Sequence, residues 1–221
     1  NAVNLADGLD GLAGGISLLS FCCIGYLAYL DGSSTVLLIT MAVAGAIFGF
    51  LRFNTHPASL FMGDTGSQLL GFAAIVLAVK TTQGNTPLSP VPPLIILGLP
   101  VLDTLTVMAL RISRGRSPFS PDKNHFHHRL IGFGLSHAEA VFVIYVTQAL
   151  MVLSAIFFRY YSAWLLLAGY GAFSLAVIGL FTALDRKAVR LPRLPVLEAA
   201  VKDRLRSLRE SNYAIRLSFG V

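Results

Sequence analysis

The chain has 221 residues, of which 55% are hydrophobic and only 13% charged, with a formal net charge of +6 and a mean hydropathy of +0.70. A soluble domain carries about a quarter charged residues, so this composition excludes an ordinary water-soluble globule and points to an all-α, polytopic integral membrane protein. The basic residues lie in loops and tail between apolar runs, which is the distribution of membrane topology and not of a nucleic-acid-binding face.

Six apolar stretches approach the length of a membrane span, which needs about 20 residues. They are Leu12–Leu30, Thr35–Leu51, Gln68–Val79, Val91–Leu110, Ala138–Phe158 and Ala163–Leu184. The third reaches span length only if its helix starts near Gly63. Pro92, Pro93 and Pro100 predict that the fourth starts or kinks there, because proline removes a backbone donor. Gly45, Gly49, Gly71, Gly169, Gly171 and Gly179 fall inside the spans, where small residues let helices approach closely. The two cysteines, Cys22 and Cys23, are adjacent in an apolar run, so neither a disulfide framework nor a metal site is expected of them.

Orientation follows from Lys and Arg. If the loop at residues 31–34 is outside, residues 52–67, 111–137 and 185–221 are inside and hold 15 of the 17 basic residues. That asymmetry places the amino-terminal segment and all three basic segments on the cytoplasmic side. The expected organisation is a transmembrane catalytic domain over 1–184 and a basic cytoplasmic tail over 185–221. In the tail, Leu197, Val201, Leu205 and Leu208 recur at helical intervals among basic residues, which reads either as a surface-lying amphipathic helix or as a solvated tail.

Three polar segments meet at that face. In NAVNLADGLDGL, Asn4, Asp7 and Asp10 are spaced by three and share a face if the segment is helical. Two carboxylates and an amide could bind a metal, orient a nucleotide or act as a base; the plainer reading is a polar helix entry. In RFNTHPASLFMGDTGS, Asp64 sits between Gly63 and Thr65 after an apolar run. It suits presentation of an oxygen ligand to Mg²⁺, which takes one or two carboxylates plus substrate phosphates. Alternatively Asp64 and Ser67 cap the following helix. Asn54 in the same segment precedes His56 and Pro57, which also fits turn chemistry.

The third segment is SPFSPDKNHFHHRL, with Asp122, Lys123, His125, His127, His128 and Arg129. Without a cysteine or a well-spaced fourth ligand, a zinc site is poorly supported; imidazoles with Lys and Arg suit a phosphate-rich substrate. Asp103 lies inside the fourth apolar stretch, where an ionisable group is either functional or a polar tie between helices. An intramembrane acid also leaves a transporter or channel fragment as the alternative function.

Taken together, NAVNLADGLDGLAGG, FLRFNTHPASLFMGDTGSQLLGF and SPFSPDKNHFHHRL resemble the polyprenyl-phosphate N-acetylhexosamine-1-phosphate transferases, over residues 1 to about 141. The HFHHRL form is similar to the bacterial GlcNAc-1-phosphate branch. The resemblance implies transfer of a sugar 1-phosphate, GlcNAc-1-phosphate by that branch, from a UDP-sugar to a polyprenyl phosphate, with release of UMP. It implies catalytic Asp7, Asp10 and Asp64; Mg²⁺, with Mn²⁺ as a substitute, on Asp64 and Asn4; and substrate binding by Asn54, His125, His127, His128 and Arg129. The implied partners are a UDP-N-acetylhexosamine, a polyprenyl phosphate and the bilayer of a bacterial inner membrane; a homodimer is left open, and the charge distribution gives no reason to expect nucleic acid. Family members also carry an Asp-Asp motif and a lysine upstream of the first segment. The chain begins at Asn1 without a signal peptide, so it reads as the C-terminal part of such an enzyme, inactive by itself.

Overall fold

A computed structural model describes residues 1–83, 88–118, 124–186 and 190–191, and among these all regular structure is helical. The elements in chain order are α1 (Ala2–Ala6), α2 (Leu12–Leu30), α3 (Ser34–Asn54), α4 (Gly63–Thr82), α5 (Pro92–Ile96), α6 (Gly98–Ser113), α7 (Phe126–Gly132), α8 (His137–Phe157) and α9 (Ala163–Arg186). Asp122, Lys123 and the amphipathic pattern from Leu197 to Leu208 lie outside the described residues.

Among the described residues four helices, α2, α3, α8 and α9, are long and apolar enough to cross a membrane. The other two expected spans take different forms. Helix α4 does begin at Gly63 and reaches 20 residues, but Asp64, Thr65, Ser67 and Gln68 make its first turns polar. The stretch expected as a fourth span is broken. Pro92 and Pro93 open the five-residue α5, and a turn at Leu97 separates it from α6.

The break has a local cause with a long-range consequence. Pro100 has no N–H to offer the carbonyl of Ile96, one turn before it. An unpaired carbonyl in an apolar interior is costly, and two other helices supply donors. Gln148 Nε2 in α8 lies 2.7 Å from the Ile96 oxygen and Ser20 Oγ in α2 lies 3.1 Å from it. On the other side of the turn, the Tyr170 hydroxyl of α9 donates to the Gly98 carbonyl at 2.9 Å. The proline break is thus the polar knot that ties α2, α8 and α9 to α5–α6.

Helix α2 is the centre of the molecule: 72% of its apolar stretch is buried, against 11% for α9. It packs against α3, α4 and α8. The glycines that permit this closeness are not the expected ones. A Cβ at Gly14 would meet Leu51 of α3 at 2.8 Å, at Gly15 the Tyr145 hydroxyl of α8 at 2.0 Å, and at Gly25 Met41 at 2.6 Å. By contrast Gly45, Gly49, Gly169, Gly171 and Gly179 face open space, and only Gly71 has a neighbour, Val3.

The outward faces are apolar, with Leu38, Phe48, Leu175 and Leu180 well exposed, as suits helices solvated by lipid. Tyr160, Tyr161 and Trp164 are exposed around the α8–α9 turn, a cluster of the kind that sits at a membrane interface. Helix α8 has 21 residues, so at 1.5 Å per residue that turn is about 30 Å from its first turn. The first turn of α8 belongs to the polar end of the molecule.

Candidate functional site

The polar end is assembled around the turn between α1 and α2. Helix α1 ends at Ala6, with Asp7 as its C-cap, so Asn4, Asp7 and Asp10 do not share a helical face as their spacing predicts. Gly11 stops any continuous helix, because it takes φ +81° as the N-cap of α2, a left-handed conformation open to glycine at low cost. The turn is then pinned from three directions. The Gly11 N–H donates to Asn54 Oδ1 at 3.0 Å, the Gly11 carbonyl accepts from the Tyr145 hydroxyl at 2.6 Å, and Asp10 is held by the loop after α3.

Asn54 is 3% exposed. Its amide nitrogen donates to the Leu60 carbonyl at 2.8 Å, so both ends of the side chain are spent on backbone. It joins the α1–α2 turn to the loop that carries His56 and leads into Asp64.

Asp10 Oδ2 accepts from the Ala58 N–H at 3.1 Å and pairs with His56 Nδ1 at 2.8 Å. The His56 ring stacks on His137, with centroids 4.2 Å apart and planes 22° apart. His137 is fixed as the first residue of α8 by a capping box in which Ser136 and Glu139 satisfy each other's backbone N–H. Burial alone would raise the Asp10 carboxyl; the bonds from His56 and Ala58 and the nearby imidazoles outweigh it and hold the group below its ordinary value. Ligand atoms of Asp10, His56 and His137 lie within 4.8 Å of one another, a grouping that could hold a metal ion.

Asp64 and Asn4 lie on adjoining elements, since α1 packs against α4. The N-cap of α4 is Met62 and makes no side-chain cap bond, so neither Asp64 nor Ser67 caps the helix. Asp64 is an exposed first-turn residue, favourably placed at the positive end of the helix. Ser67 is buried and donates to Asn4 Oδ1 at 3.0 Å. Burial raises the Asp7 carboxyl, and the charges of Asp64 and then Asp10 raise it further. Three acids from two separate segments therefore sense one another here.

The histidine segment arrives from the other side. His125 is the N-cap of α7, and Asp103 of α6 grips it twice: Oδ2 lies 2.8 Å from His125 Nδ1, and Oδ1 accepts the Phe126 N–H at 2.8 Å. The His125 and His127 rings are parallel within 4°, 5.9 Å apart, and His127 leans on the exposed His128 at 4.2 Å. Arg129 turns away towards α9. It pairs with Asp185 and its guanidinium lies 4.6 Å over the Phe181 ring.

His127 closes the gap between the two halves. It is 3% exposed and its Nε2 atom has no hydrogen-bond partner among the described residues. A Cβ on Gly8 would lie 2.1 Å from that nitrogen, so the ring packs directly on the backbone beside Asp7. Burial, followed by repulsion from His128, pushes the His127 imidazole down to about 4. Because the folded value lies below the ordinary 6.5, the unfolded chain binds more protons between the two. Stability contributed by neutral His127 is complete above about pH 6.5 and is lost as pH falls towards 4, by up to about 1.4 kcal/mol per pH unit. Thermal midpoints measured from pH 4 to 7 should fall with acid in the native protein and fall less steeply in His127→Gln.

Sequence reasoning therefore named most of the residues gathered here but not all of their roles. It missed His137 and Tyr145, which look like ordinary members of an apolar helix; only the Ser136–Glu139 capping box marked where that helix begins.

The sequence profile of glycosyl transferase family 4 matches residues 1–82, the stretch that holds Asn4, Asp7, Asp10, Asn54 and Asp64. Over those residues the chain is similar to this family. It is 42% identical over 166 residues to a Bacillus subtilis (strain 168) protein named a probable undecaprenyl-phosphate N-acetylglucosaminyl 1-phosphate transferase, covering 75% of this chain and 46% of that protein. It is 39% identical over 156 residues to the Escherichia coli K12 undecaprenyl-phosphate alpha-N-acetylglucosaminyl 1-phosphate transferase, covering 68% of this chain and 42% of that one. The Yersinia pestis protein of the same name is 38% identical over 158 residues, 69% of this chain and 43% of the relative. The chain thus spans less than half the length of the curated relatives it matches.

Proposed function

We propose that this chain forms the larger part of the active site of an enzyme that transfers N-acetylglucosamine 1-phosphate from UDP-N-acetylglucosamine to a polyprenyl phosphate. In this reading an oxygen of the lipid phosphate attacks the β-phosphorus of the UDP-sugar. The bond from that phosphorus to the oxygen bridging it to the α-phosphorus breaks, and UMP leaves. The observation that carries the reading is the meeting of the acidic turn at residues 7–11 with the histidine segment, through Gly8 and His127.

The donors suit a hard divalent cation. Asp64 is exposed and carries a charge that Asp7 senses, and Asn4 offers an amide oxygen that already accepts from Ser67; oxygen donors of this kind, few in number, fit Mg²⁺, and Mn²⁺ as its substitute. When bound, the cation neutralises charge on the transferring phosphoryl group and its leaving oxygen. The protein's own residues position and neutralise. In this reading His125 and His128 serve the sugar-nucleotide diphosphate, His127 positions them from its buried seat on Gly8, and Arg129 donates from whatever of its five N–H groups Asp185 leaves open. Asp7, whose carboxyl is raised, is the member best suited to accept a proton from a lipid phosphate that arrives as the monoanion. Asp10 keeps its charge and orders the His56 loop. Asn54 positions the turn and does not itself touch substrate.

The reading also places the chain as a multi-pass protein of the bacterial plasma membrane with this site on the cytoplasmic side. Support comes from 15 of the 17 basic residues lying in segments on that side, and a water-soluble donor and a lipid acceptor would meet there. Asp103, bonded to His125 and to the Phe126 N–H, has a role in this reading as a tie between α6 and α7, which supports it over a transporter using that acid as an ion site. The test is UMP release by membranes holding the full-length protein, supplied with UDP-N-acetylglucosamine and undecaprenyl phosphate. Release that requires both substrates and stops with a chelator is the expected result; no release with any UDP-N-acetylhexosamine would count against the reading.

A further inference from the structure

Asp103 is 6% exposed and His125 6% exposed, and neither the family match at residues 1–82 nor the spacing of the histidines gives the acid a role. We infer that Asp103 is the positioning residue of the histidine segment, setting both the tautomer of His125 and the start of α7. The inference rests on the proposed transferase reading for its kinetic consequence, but its geometry stands by itself.

An ionised carboxylate only accepts. The Phe126 N–H occupies Oδ1, and the His125 ring presents Nδ1 to Oδ2; with the carboxylate accepting at both oxygens, that nitrogen carries the proton. Nε2 is thereby left as the working atom, a lone pair that can take a proton and, once protonated, a cationic donor backed by the buried carboxylate. This division of labour between the two ring nitrogens is set by whatever bonds the first of them. The same carboxylate satisfies one of the orphan N–H groups at the start of α7. It therefore fixes the angle at which Phe126, His127 and His128 leave α6. Its influence extends past His125, since Asp103 opposes the other charges acting on His127. The neighbouring Thr104 hydroxyl is turned to the Pro100 carbonyl at 2.9 Å and does not compete for the site.

Asparagine separates the two functions. In Asp103→Asn the side-chain oxygen can still accept the Phe126 N–H, but the amide N–H₂ now faces His125 and forces the opposite tautomer, with the proton on Nε2. In a serine-protease triad the same exchange costs about 10⁴ in kcat. Here, where positioning outweighs proton transfer, a loss of about 10²-fold in kcat is expected. Asp103→Glu should lose less than Asp103→Asn.

The experiment is run on the detergent-purified full-length protein with ¹⁵N-labelled histidine, using His125→Gln to assign the His125 signals. The native protein is expected to show His125 protonated at Nδ1, and Asp103→Asn to move the proton to Nε2 while the signals of His56 and His137, which stack on each other away from Asp103, stay in place and report an intact fold. In the His125→Gln background, Asp103→Asn should lower UMP release by less than about threefold, because residues acting as a unit are not additive. Unchanged His125 signals in Asp103→Asn, a fully active Asp103→Asn, or losses that multiply in the double variant would each overturn the inference. A native protein that releases no UMP would defeat the transferase reading alone, while the nitrogen signals would still decide the tautomer.

Discussion

Asp64→Asn is expected to lower UMP release by about 10³-fold or more and to leave thermal stability within about 0.5 kcal/mol of the native protein. The split follows from where the residue sits. Asp64 is exposed in the first turn of α4, and the helix draws no cap bond from it, so folding loses little more than a favourable charge near the helix N-terminus. Under the proposed reading, function loses the carboxylate that would hold the cation. A second, independent readout accompanies the first. Asp64 is the charge that contributes most, after burial, to the raised Asp7 carboxyl, so its removal should lower the Asp7 value towards that of an ordinary carboxylate. An Asp64→Asn protein that retains Mg²⁺-dependent activity would move the metal to another donor set, with Asp10, His56 and His137 the first to examine by substitution.

Gly8→Ala should be nearly as damaging for a different reason. The added Cβ would lie 2.1 Å from His127 Nε2, 2.5 Å from Cε1 and 2.9 Å from Cδ2. These are atoms of a buried ring on a short helix, not the free end of a flexible chain, so the acidic turn and α7 must separate. Overpacking of this kind costs about 1–3 kcal/mol, and displacement of groups near the reaction by about 1 Å can cost about 10²-fold in rate. The expected result is a loss of at least that size in UMP release with a lowered thermal midpoint. His127→Ala in the same chain should restore stability without restoring activity. Gly45→Ala, where the new Cβ meets nothing within 4 Å, is the matched control and should be silent. Equal activity in Gly8→Ala would show that the contact between the two segments is not needed for the reaction.

The two experiments probe the same physical point. Asp64 and Gly8 belong to polar segments that the chain keeps separate from the histidines by more than 60 residues. They meet only because α1 packs on α4 and α6 and because the proline break lets α6 bring Asp103 under α7. A change at Gly8 tests the junction itself, whereas a change at Asp64 tests what the junction is for.

Sequence alone determined the elements. Apolar length and low charge gave an all-helical membrane chain, and the ends of α2, α3, α8 and α9 fall within three residues of those expected because each is bounded by polar or turn residues. Gly63 as the start of α4 and the prolines before α6 were readable for the same reason: helix initiation and the missing proline N–H are local. The close-packing glycines were not readable, since Gly15 and Gly45 differ only in what another helix places opposite them. Nor were the partners of the polar groups. The partners that Asn54, Arg129 and Asp103 take in the fold, which are the Gly11 N–H, Asp185 and His125, lie far away in the chain and depend on how the helices pack. Hydrogen bonds and ion pairs act over about 3–4 Å, and residues tens of positions apart come that close only through tertiary structure.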